Sequence, residues 1–295
     1  MRRAELLRLF TANGKFTKDE AARELRWMNE YISFSPRFRP KSPDFKQATL
    51  NRWIRDRTER EKPLQYILRS APFCELDILC KPPVLIPRWE TEEYTMDLVQ
   101  KISKEVQKIS KEAQKFNTRA LKIVDMCTGS GCIALALAHH LKYTRVHVTA
   151  IDKNIQAIKL AKINQRRLGV NNVDFFHLDL FDSRRFNDKF DLIVSNPPYI
   201  PHSEYLELDL SVKNWEDQDA LVAKDDGLLF HKFLLKNARK HLYEDVDVSF
   251  PRVFLEVNDD KQIEYLSKYA LECGFKNSAP HFDLAGKARG LAAYL

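Results

Sequence analysis

The stretch LKIVDMCTGSGC, residues 121–132, decides the fold. Its first part, 121–125, is an apolar run of the length typical of a buried strand. Gly129 and Gly131 follow, and glycine lets a backbone turn approach a ligand closely. Residues 133–141 are apolar and have the length of a helix. A strand, a glycine turn and a helix in this order predict the first βα unit of an α/β domain.

Strand and helix patterns alternate further along the chain. The predicted strands are Val146–Asp152, Val173–His177, 191–195 and 253–257, and the predicted helices are 157–168, 228–242 and 263–273. The tail, with Phe282 and residues 291–295, predicts a closing β-hairpin. Alternating βα units imply a parallel, doubly wound sheet. Ligands bind at the carboxyl ends of the strands in such sheets.

The amino-terminal region predicts a small helical domain. One helix begins at the capping box formed by Thr17 and Glu20, and another covers 44–60. Residues 1–70 hold 17 Lys/Arg against 9 Asp/Glu, whereas the rest of the chain holds 31 against 32. This excess of positive charge indicates either docking of an acidic or nucleic-acid-associated partner or an ordinary solvated surface. We expect a docking domain at 1–62, a β-hairpin and linker at 63–87, which includes the β-prone piece 84–86, and the α/β domain at 88–295.

A short duplication lies within the helix predicted to open near residues 86–92. QKISKEV at 100–106 is followed by QKISKEA at 107–113. The apolar stripe consists of Ile102, Val106, Ile109 and Ala113. Two heptads are too few to establish a coiled coil, so we expect a surface extension of the helix.

Composition excludes several classes of protein. The five cysteines are scattered and form no C-x-x-C pair, so we expect no structural zinc, no disulfide framework and a reducing compartment. No run approaches the roughly 18 apolar residues of a membrane span. Residues 1–10 are basic and amphipathic, which is compatible with a transit peptide or with the first helix of the fold.

Three carboxylates fall at successive strand ends. The sequence lacks both the G-x-G-x-x-G fingerprint and the lysine of a P-loop, which weakens a phosphate-binding interpretation. Asp125, just before the glycines, favours a cationic ligand such as the amino-acid part of S-adenosylmethionine. Asp152 is placed to accept hydrogen bonds from ribose hydroxyls. Asp179 is placed to accept from an adenine amino group, with Leu180 and Phe181 flanking the ring. The predicted cofactor site comprises Asp125, Cys127, Thr128, Gly129, Ser130, Gly131, Asp152, Asp179, Leu180 and Asn196.

The sequence SNPPYI, residues 195–200, follows the fourth predicted strand. Two prolines in a row form a stiff segment whose carbonyl groups are free to accept hydrogen bonds. Asn196 adds a side-chain carbonyl, and Tyr199 offers a flat face. Two converging acceptors suit the two hydrogens of a planar –NH2 group. The segment therefore predicts a site that presents an amide or amino nitrogen to an electrophile; the alternative is a proline-rich turn with an Asx-type cap.

These segments together resemble the HemK/PrmC class of glutamine methyltransferases, which act on peptide-chain release factors. The resemblance is carried by IPRWETE at 86–92, TGSGCIALA at 128–136, Asp152, SNPPYI at 195–200, PLQYIL at 63–68, Ala220-Leu221 with Asp226-Gly227-Leu228, and DLAGKARG at 283–290. It implies a class I S-adenosylmethionine-dependent methyltransferase with a seven-stranded, mostly parallel sheet and a small amino-terminal helical domain.

The resemblance also implies a reaction and its partner. The enzyme would methylate the glutamine amide nitrogen in the Gly-Gly-Gln motif of a release factor. Asn196, Pro197 and Tyr199 are then the catalytic residues, and together with Pro198 they bind the glutamine. We expect a monomer that needs neither metal nor membrane and does not require nucleic acid, although a release factor is met near the ribosome. Residues 125–132 are similar to fungal mitochondrial members, which predicts the mitochondrial matrix, with the cytoplasm as the alternative.

The chain departs from the family at several positions. Cys127 stands where the family has glycine, so a backbone with φ above zero there would be strained. Arg69 also replaces a glycine, and Asp217 replaces a proline. Two other functions remain open at this point, namely a DNA or RNA amino-methyltransferase acting on adenine or cytosine, and a non-catalytic cofactor-binding protein associated with ribosomes. His139, His140, His177 and His231 are candidates only if the chemistry needs a base.

Overall fold

Helices form the amino-terminal part of the molecule. The computed structural model describes residues 3–36, 38, 41–112, 119–182, 188–244 and 248–295. The first helices are α1 (Arg3–Thr11), α2 (Lys18–Phe34), α3 (Pro43–Thr58) and α4 (Leu64–Leu68). The predicted capping box at Thr17 is present, and Ser42 caps α3. The four helices share one apolar cluster that includes Leu6, Phe10, Leu25, Met28, Trp53 and Ile67. Residues 3–10 of the basic segment are therefore part of the fold. The prolines in 33–43 predict a loop between α2 and α3, and Pro40 of that segment lies outside the described residues.

A two-stranded hairpin follows, formed by β1 (Ser70–Phe73) and β2 (Leu76–Leu79). Arg69, just before β1, has a left-handed backbone with φ of 65°. Residues 84–86 form no strand, although their β-prone sequence predicts one. Val84 and Leu85 instead contribute to the wall of a cleft described below.

Helix α5 (Trp89–Glu112) corrects the interpretation of the duplicated segment. Ile102 and Val106 are buried in the main apolar core, and Glu105 beside them is only 3% exposed. The first heptad is thus a packing surface, so the expected surface extension is wrong for it. Apolar side chains spaced at helical intervals pack into a core whenever a sheet covers them. Ala113 and the Ile109 side chain lie outside the described part of the chain.

The main sheet has seven strands in the order β5-β4-β3-β6-β7-β9-β8. The strands are β3 (Leu121–Met126), β4 (Val146–Asp152), β5 (Val173–His177), β6 (Leu192–Ser195), β7 (Val253–Glu256), β8 (Asn277–Phe282) and β9 (Ala288–Tyr294). β3 to β7 are mutually parallel, whereas β9 pairs antiparallel to β7 and to β8. The predicted doubly wound sheet and closing hairpin are confirmed.

The remaining helices connect these strands. They are α6 (Cys132–His140), α7 (Ile155–Leu168), α8 (His202–Glu207), α9 (Leu210–Lys213), α10 (Leu229–His241) and α11 (Asp260–Glu272). The sequence did not predict α8 and α9, because neither contains a buried residue and neither shows an apolar period. Apolar cores on both faces of the sheet hold the strands in register. Within the described ranges, no helix combines the length and hydrophobicity that crossing a membrane requires.

Candidate active site

Four strand ends lie side by side at the carboxyl edge of the sheet. Met126 on β3 pairs with Ile151 on β4 and with Ser195 on β6. Ser195 pairs in turn with Leu255 on β7. The next residue along each strand therefore falls in one row, which we call the edge row: Asp152, Cys127, Asn196 and Glu256. The sheet thus brings three of the predicted site residues together with a glutamate that the sequence did not single out.

A cleft of about 700 Å³ opens beside the edge row. The predicted site residues that line it are Cys127, Gly129, Asp152, Asp179, Leu180, Asn196 and Pro198. Apolar residues that the sequence did not predict for the site also line it: Val84, Leu85, Ile151, Ala157 and Phe230. The predicted residues Asp125, Thr128, Ser130, Gly131, Pro197 and Tyr199 are not part of this wall and lie behind or beside it.

The glycine turn and Asp152 hold each other. The Gly129 N–H donates to Asp152 Oδ2 at 2.9 Å, and the Asn154 N–H donates to Oδ1 at 2.7 Å. Each carboxylate oxygen keeps a second lone pair for a ligand. Burial raises the pKa of Asp152, against these two hydrogen bonds, which lower it. Gly129 has φ of +57°, and no atom lies within 4 Å of the position that its Cβ would take, so its backbone faces open space.

Asp125 lies beneath the turn and is fully buried. Its Oδ2 accepts from Thr128 Oγ1 at 2.6 Å and from the Ala134 N–H at 3.2 Å. The carboxylate thereby ties the turn to the first turn of α6. Burial raises the pKa of Asp125 to about 7, although the two hydrogen bonds oppose the shift. The structure therefore places Asp125 behind the cleft, where it supports the loop from below.

Cys127 adopts a left-handed backbone, with φ of 66°, although it is not a glycine. A non-glycine residue in this region carries steric strain. Burial raises the pKa of the Cys127 thiol well above its usual value, so the thiol stays protonated. A protonated thiol is a poor nucleophile, and this one acts as a small neutral part of the cleft wall.

The far end of the cleft differs from the prediction in one aromatic residue. Asp179 is exposed at the rim, where its Oδ1 accepts from the Phe181 N–H at 2.9 Å. Phe181 does not line the cleft; its ring packs on Phe233 and Phe230, with centroids 4.7 and 5.3 Å away. Phe230, which comes from α10, presents an aromatic surface to the cleft beside Leu180. The expected pair of flanking residues is thus replaced by Leu180 and Phe230.

The Asn196 amide is held by a side chain from a distant segment. Its Nδ2 donates to Thr91 Oγ1 at 3.3 Å, which turns its carbonyl oxygen away from Thr91. Thr91 is buried at the start of α5 and donates its own hydroxyl proton to Glu256 Oε2 at 2.7 Å. Glu256 Oε1 accepts from the Tyr199 hydroxyl at 3.0 Å. One carboxylate therefore connects to both polar side chains of the predicted amide site.

Glu256 is 3% exposed, and burial raises its pKa to about 7, against the hydrogen bonds from Thr91 and Tyr199, which lower it. Burial also raises the pKa of Tyr199 well above its usual value, so its hydroxyl remains a donor. The sequence carried one signal for Glu256, namely a charged residue inside the apolar run 253–257. Thr91 lies in the segment 86–92 that carries the family resemblance, but nothing in that segment indicates a role for its hydroxyl.

Three segments of the resemblance brace the amide site. A Cβ on Gly227 would lie 2.1 Å from the Tyr199 carbonyl oxygen, so only glycine fits there. Arg88 donates to both oxygens of Glu216 at 2.7 and 2.9 Å. Arg289 pairs with Asp283 at 2.9 Å and with Glu90 at 3.2 Å, which joins the carboxyl-terminal hairpin to the start of α5.

The four candidate histidines lie outside the cleft wall. His231 is fully buried, its Nε2 lies 2.7 Å from the Glu256 carbonyl oxygen, and burial lowers its pKa to about 4. His140 contacts the Cys74 carbonyl and His177 the Lys153 carbonyl, each at 2.9 Å. His139 has a lowered pKa because of partial burial. Among the described residues, none of these imidazoles faces the Asn196 amide as a base would have to.

Comparison with known proteins identifies close relatives. Residues 106–211 match the family model described as Methyltransferase small domain. The chain is 34% identical over 279 residues to the mitochondrial MRF1 N(5)-glutamine methyltransferase MTQ1 of Saccharomyces cerevisiae, an alignment that covers 92% of this chain and 79% of that protein. It is 35% identical over 258 residues to the release factor glutamine methyltransferase of Flavobacterium psychrophilum, which covers 84% of this chain and 82% of that protein.

A solved structure has a similar fold. The human methyltransferase 10 domain containing protein superposes with a TM-score of 0.50 at 13% identity, over 75% of this chain and 88% of that chain. At this level of identity the likeness concerns the fold alone.

Proposed function

The chain belongs to the release factor glutamine methyltransferases, and from this premise we propose that it methylates the glutamine of the Gly-Gly-Gln motif in a mitochondrial peptide-chain release factor. It is an S-adenosylmethionine-dependent protein-glutamine N-methyltransferase, as its relatives show, and its seven-stranded sheet has the class I methyltransferase fold. The observation that carries the proposal is the orientation of the Asn196 amide, whose nitrogen is bound to Thr91 and whose carbonyl oxygen is thereby turned toward the open side.

The residues of the cleft fit S-adenosylmethionine, which supplies a methyl group already activated as a sulfonium. Asp152 would accept from the ribose hydroxyls with the lone pairs that Gly129 and Asn154 leave free. Asp179 would accept from the adenine amino group, and Leu180 and Phe230 would cover the ring. The remaining residues of the proposed cofactor site form the turn that Asp125 supports: Cys127, Thr128, Ser130 and Gly131.

Asn196 and Pro197 would bind the substrate amide. An amide nitrogen is a poor nucleophile because its lone pair is delocalised, so its plane must be fixed and positive charge developing on it must be stabilised. The Asn196 carbonyl oxygen and the Pro197 backbone carbonyl can each accept one of the two N–H hydrogens. Among the described residues, none donates a hydrogen bond to the Pro197 carbonyl. Pro198 and the ring of Tyr199 would pack against the glutamine side chain.

The amino-terminal helices would dock the rest of the release factor, because one loop bound at the amide site provides little affinity. Arg52 and Arg55 on α3 are exposed and available to an acidic partner. Arg57 is committed to the fold, since it donates to both oxygens of Glu24 and lies over the Phe16 ring. We therefore propose Arg52 and Arg55, without Arg57, as docking residues of a domain that covers 1–62.

A mitochondrial location is supported by the name of the yeast relative. We propose the matrix as the compartment, a monomer as the active form, and a reaction that needs neither metal nor nucleic acid. Mitochondria expressing a tagged chain, fractionated into matrix and membranes, test the compartment, and light scattering tests the monomer.

The activity test uses recombinant enzyme, S-adenosylmethionine and candidate release factors, with intact mass and peptide mapping as the measurement. The expected result is one added methyl group on the peptide that contains the Gly-Gly-Gln motif, and methylation that is at least about 100-fold slower with Asn196→Ala. DNA and RNA serve as parallel substrates. Methyl transfer to a nucleic acid without transfer to any release factor would overturn the proposal.

A further inference from the structure

The amide site contains a continuous chain of hydrogen bonds that ends on a buried carboxylate. Asn196 donates to Thr91, Thr91 donates to Glu256, and Tyr199 donates to the other oxygen of Glu256. The donor–acceptor distances are 3.3, 2.7 and 3.0 Å respectively. The three supporting groups come from α5, β7 and the segment after β6, so the site is assembled from distant parts of the chain.

The ionised carboxylate determines the direction of every bond in this chain. An ionised carboxylate has no proton to donate, so the Thr91 hydroxyl must donate to it. The Thr91 oxygen then has only lone pairs left to offer Asn196, and these select the –NH2 end of the amide. With a neutral group in place of the carboxylate, the Thr91 hydroxyl is free to turn and donate to the Asn196 carbonyl oxygen. The amide would then present its –NH2 end to the substrate –NH2, which places donor against donor.

We infer that Glu256 is a positioning residue for methyl transfer, and that it acts through Thr91 to keep the Asn196 carbonyl oxygen facing the bound glutamine. The inference rests on the role proposed above for Asn196. Glu256 does not touch the substrate in this arrangement. Its second oxygen also holds the Tyr199 hydroxyl, which leaves the ring of Tyr199 as the surface offered to the glutamine side chain.

The first test replaces the carboxylate by an isosteric amide. Glu256→Gln keeps the volume but gives position 256 an –NH2 that can donate to Thr91 and reverse the chain. We expect kcat on the release factor to fall by about 100-fold, the size of effect that misplaced reacting groups produce. The Kd for S-adenosylmethionine should change by less than about twofold, because Asp152 and the glycine turn are untouched. Glu105→Gln is the matched control: Glu105 is also 3% exposed and also accepts from a hydroxyl, that of Ser249, but it lies far along α5 from Thr91.

The second test concerns Thr91. Thr91→Val removes the hydroxyl at constant shape and should lower kcat by a factor similar to Glu256→Gln, whereas Thr91→Ser keeps the hydroxyl and should restore most of the activity. Thr95→Val is the matched control, because Thr95 is one turn further along α5, is fully buried and donates only to the Thr91 carbonyl. If Glu256 acts through Thr91, the double variant that combines Thr91→Val with Glu256→Gln should be about as active as Thr91→Val alone.

A pH profile separates positioning from a merely structural role. The groups that face Glu256 are Thr91, Glu90 and Tyr94 from α5, Tyr199 from the segment after β6, and Cys132 from α6. Burial places the pKa of Glu256 near 7, and the ionised form is the one that orients Thr91, so kcat of the wild type should fall as the pH drops through 7. The amide introduced by Glu256→Gln cannot titrate. The ratio of wild-type to Glu256→Gln kcat cancels the shared titration of Asp125 and should fall by about tenfold between about pH 8 and about pH 6.

The outcomes distinguish the inference from the proposed function. A wild-type enzyme that does not methylate any release factor overturns the proposed function. A wild type that does, with Glu256→Gln equally active or with a kcat ratio that is flat across pH, overturns the positioning role alone. A variant that loses cofactor affinity in parallel with kcat also overturns it, because the loss then lies in the fold of the cleft.

Discussion

The cofactor end of the edge row, at Asp152, and its amide end, at Asn196 and Glu256, are held in different ways. Asp152, at the cofactor end, is held by the backbone N–H of Asn154, two residues later, and by that of Gly129, 23 residues earlier in the turn after β3. Asn196, at the amide end, is held by Thr91, which lies 105 residues earlier, and through it by Glu256. The cofactor end is built within two consecutive βα units, whereas the amide end joins segments 105 to 165 residues apart.

Solvent exposure also differs between the rim of the cofactor end and the contacts behind Asn196. The cofactor rim is closed by Lys153 and Asp219, an exposed ion pair at 2.9 Å of the kind that contributes less than about 1 kcal/mol. Behind Asn196 the hydrogen bond from Thr91 to Glu256 is buried, where an orienting hydrogen bond is stronger and its loss costs more. We therefore expect substitutions at the amide end to lower turnover and substitutions at the cofactor end to lower the affinity for the cofactor.

The largest effect should come from Asn196→Ala. Removing one of two acceptors for the developing charge should lower kcat by roughly 100- to 1,000-fold. Cofactor binding, measured by calorimetry, should be nearly unchanged, because the ribose and adenine contacts remain. Asn237→Ala, which removes a part-buried amide on α10 that bonds the Phe233 carbonyl, is the control. Parental turnover in Asn196→Ala would remove the distinction between the two ends.

Asp152→Ala should have the opposite signature. Hydrogen bonds to a charged acceptor are worth about 1.5–3 kcal/mol, so the Kd for S-adenosylmethionine should rise by about 10- to 100-fold. With the cofactor at saturation, kcat should recover to within a few-fold of the wild type. Asp174→Ala, at an exposed carboxylate on β5 that pairs with His147, is the matched control. A lowered kcat that saturating cofactor does not restore would show that the two ends are not separable.

Charge reversal at Arg52 and Arg55 should affect neither end of the edge row. We expect the KM for the release factor to rise by roughly three- to tenfold and more at low salt, since exposed charges act mainly on encounter. The cofactor Kd and the kcat at saturating substrate should stay constant. Lys162 and Arg166, exposed on α7, provide a control reversal of equal charge. An equal rise in the KM for the release factor in both charge-reversal variants would argue against docking by the amino-terminal helices.

The smallest effect should come from Cys127→Gly. Glycine relieves the left-handed strain at φ of 66° but adds freedom to the unfolded chain, and the two contributions nearly cancel. The free energy of unfolding should therefore change by less than about 1 kcal/mol, as measured by denaturant titration. Turnover should stay within about twofold, since a protonated thiol takes no part in the transfer. A much larger loss would assign the thiol a role at the centre of the row.

The local part of the molecule was predictable from the sequence. Val146–Asp152 and Val173–His177 match the observed strands residue for residue, because apolar runs bounded by turns encode them directly. The sequence indicates that a positive φ at Cys127 would be strained, and the structure has a φ of 66° there. The sequence predicts Asp152 and Asn196 for the site because the first ends a strand and the second directly follows one, and it predicts Asp179 because this residue lies two positions after a strand.

The contacts made by the tertiary fold were not predictable in the same way. Thr91 and Glu256 lie 165 residues apart, and their hydrogen bond arises only once α5 packs beside β7. Phe230 replaced Phe181 at the cleft because the packing of α10 decides which ring faces outward. The first heptad of the duplication was assigned to the surface because two heptads do not reveal whether a sheet covers them. These differences from the prediction share one cause. The periodicity of a sequence shows which face of a helix or strand is apolar, but it does not show which other element packs against that face.

The two buried carboxylates also make the stability of the enzyme depend on protons. Asp125 and Glu256 have pKa values raised to about 7 by burial, from ordinary values of 3.8 and 4.5. The native state therefore binds protons in this range that the unfolded chain does not hold. The stability contributed by these two groups is fully present below their ordinary values and is lost as the pH rises through 7. Glu256 orients the amide only in its ionised form. Over the same pH interval, turnover therefore rises while the stability of the fold falls. The negative charge that Glu256 keeps behind the amide site thus lowers the conformational stability of the working enzyme.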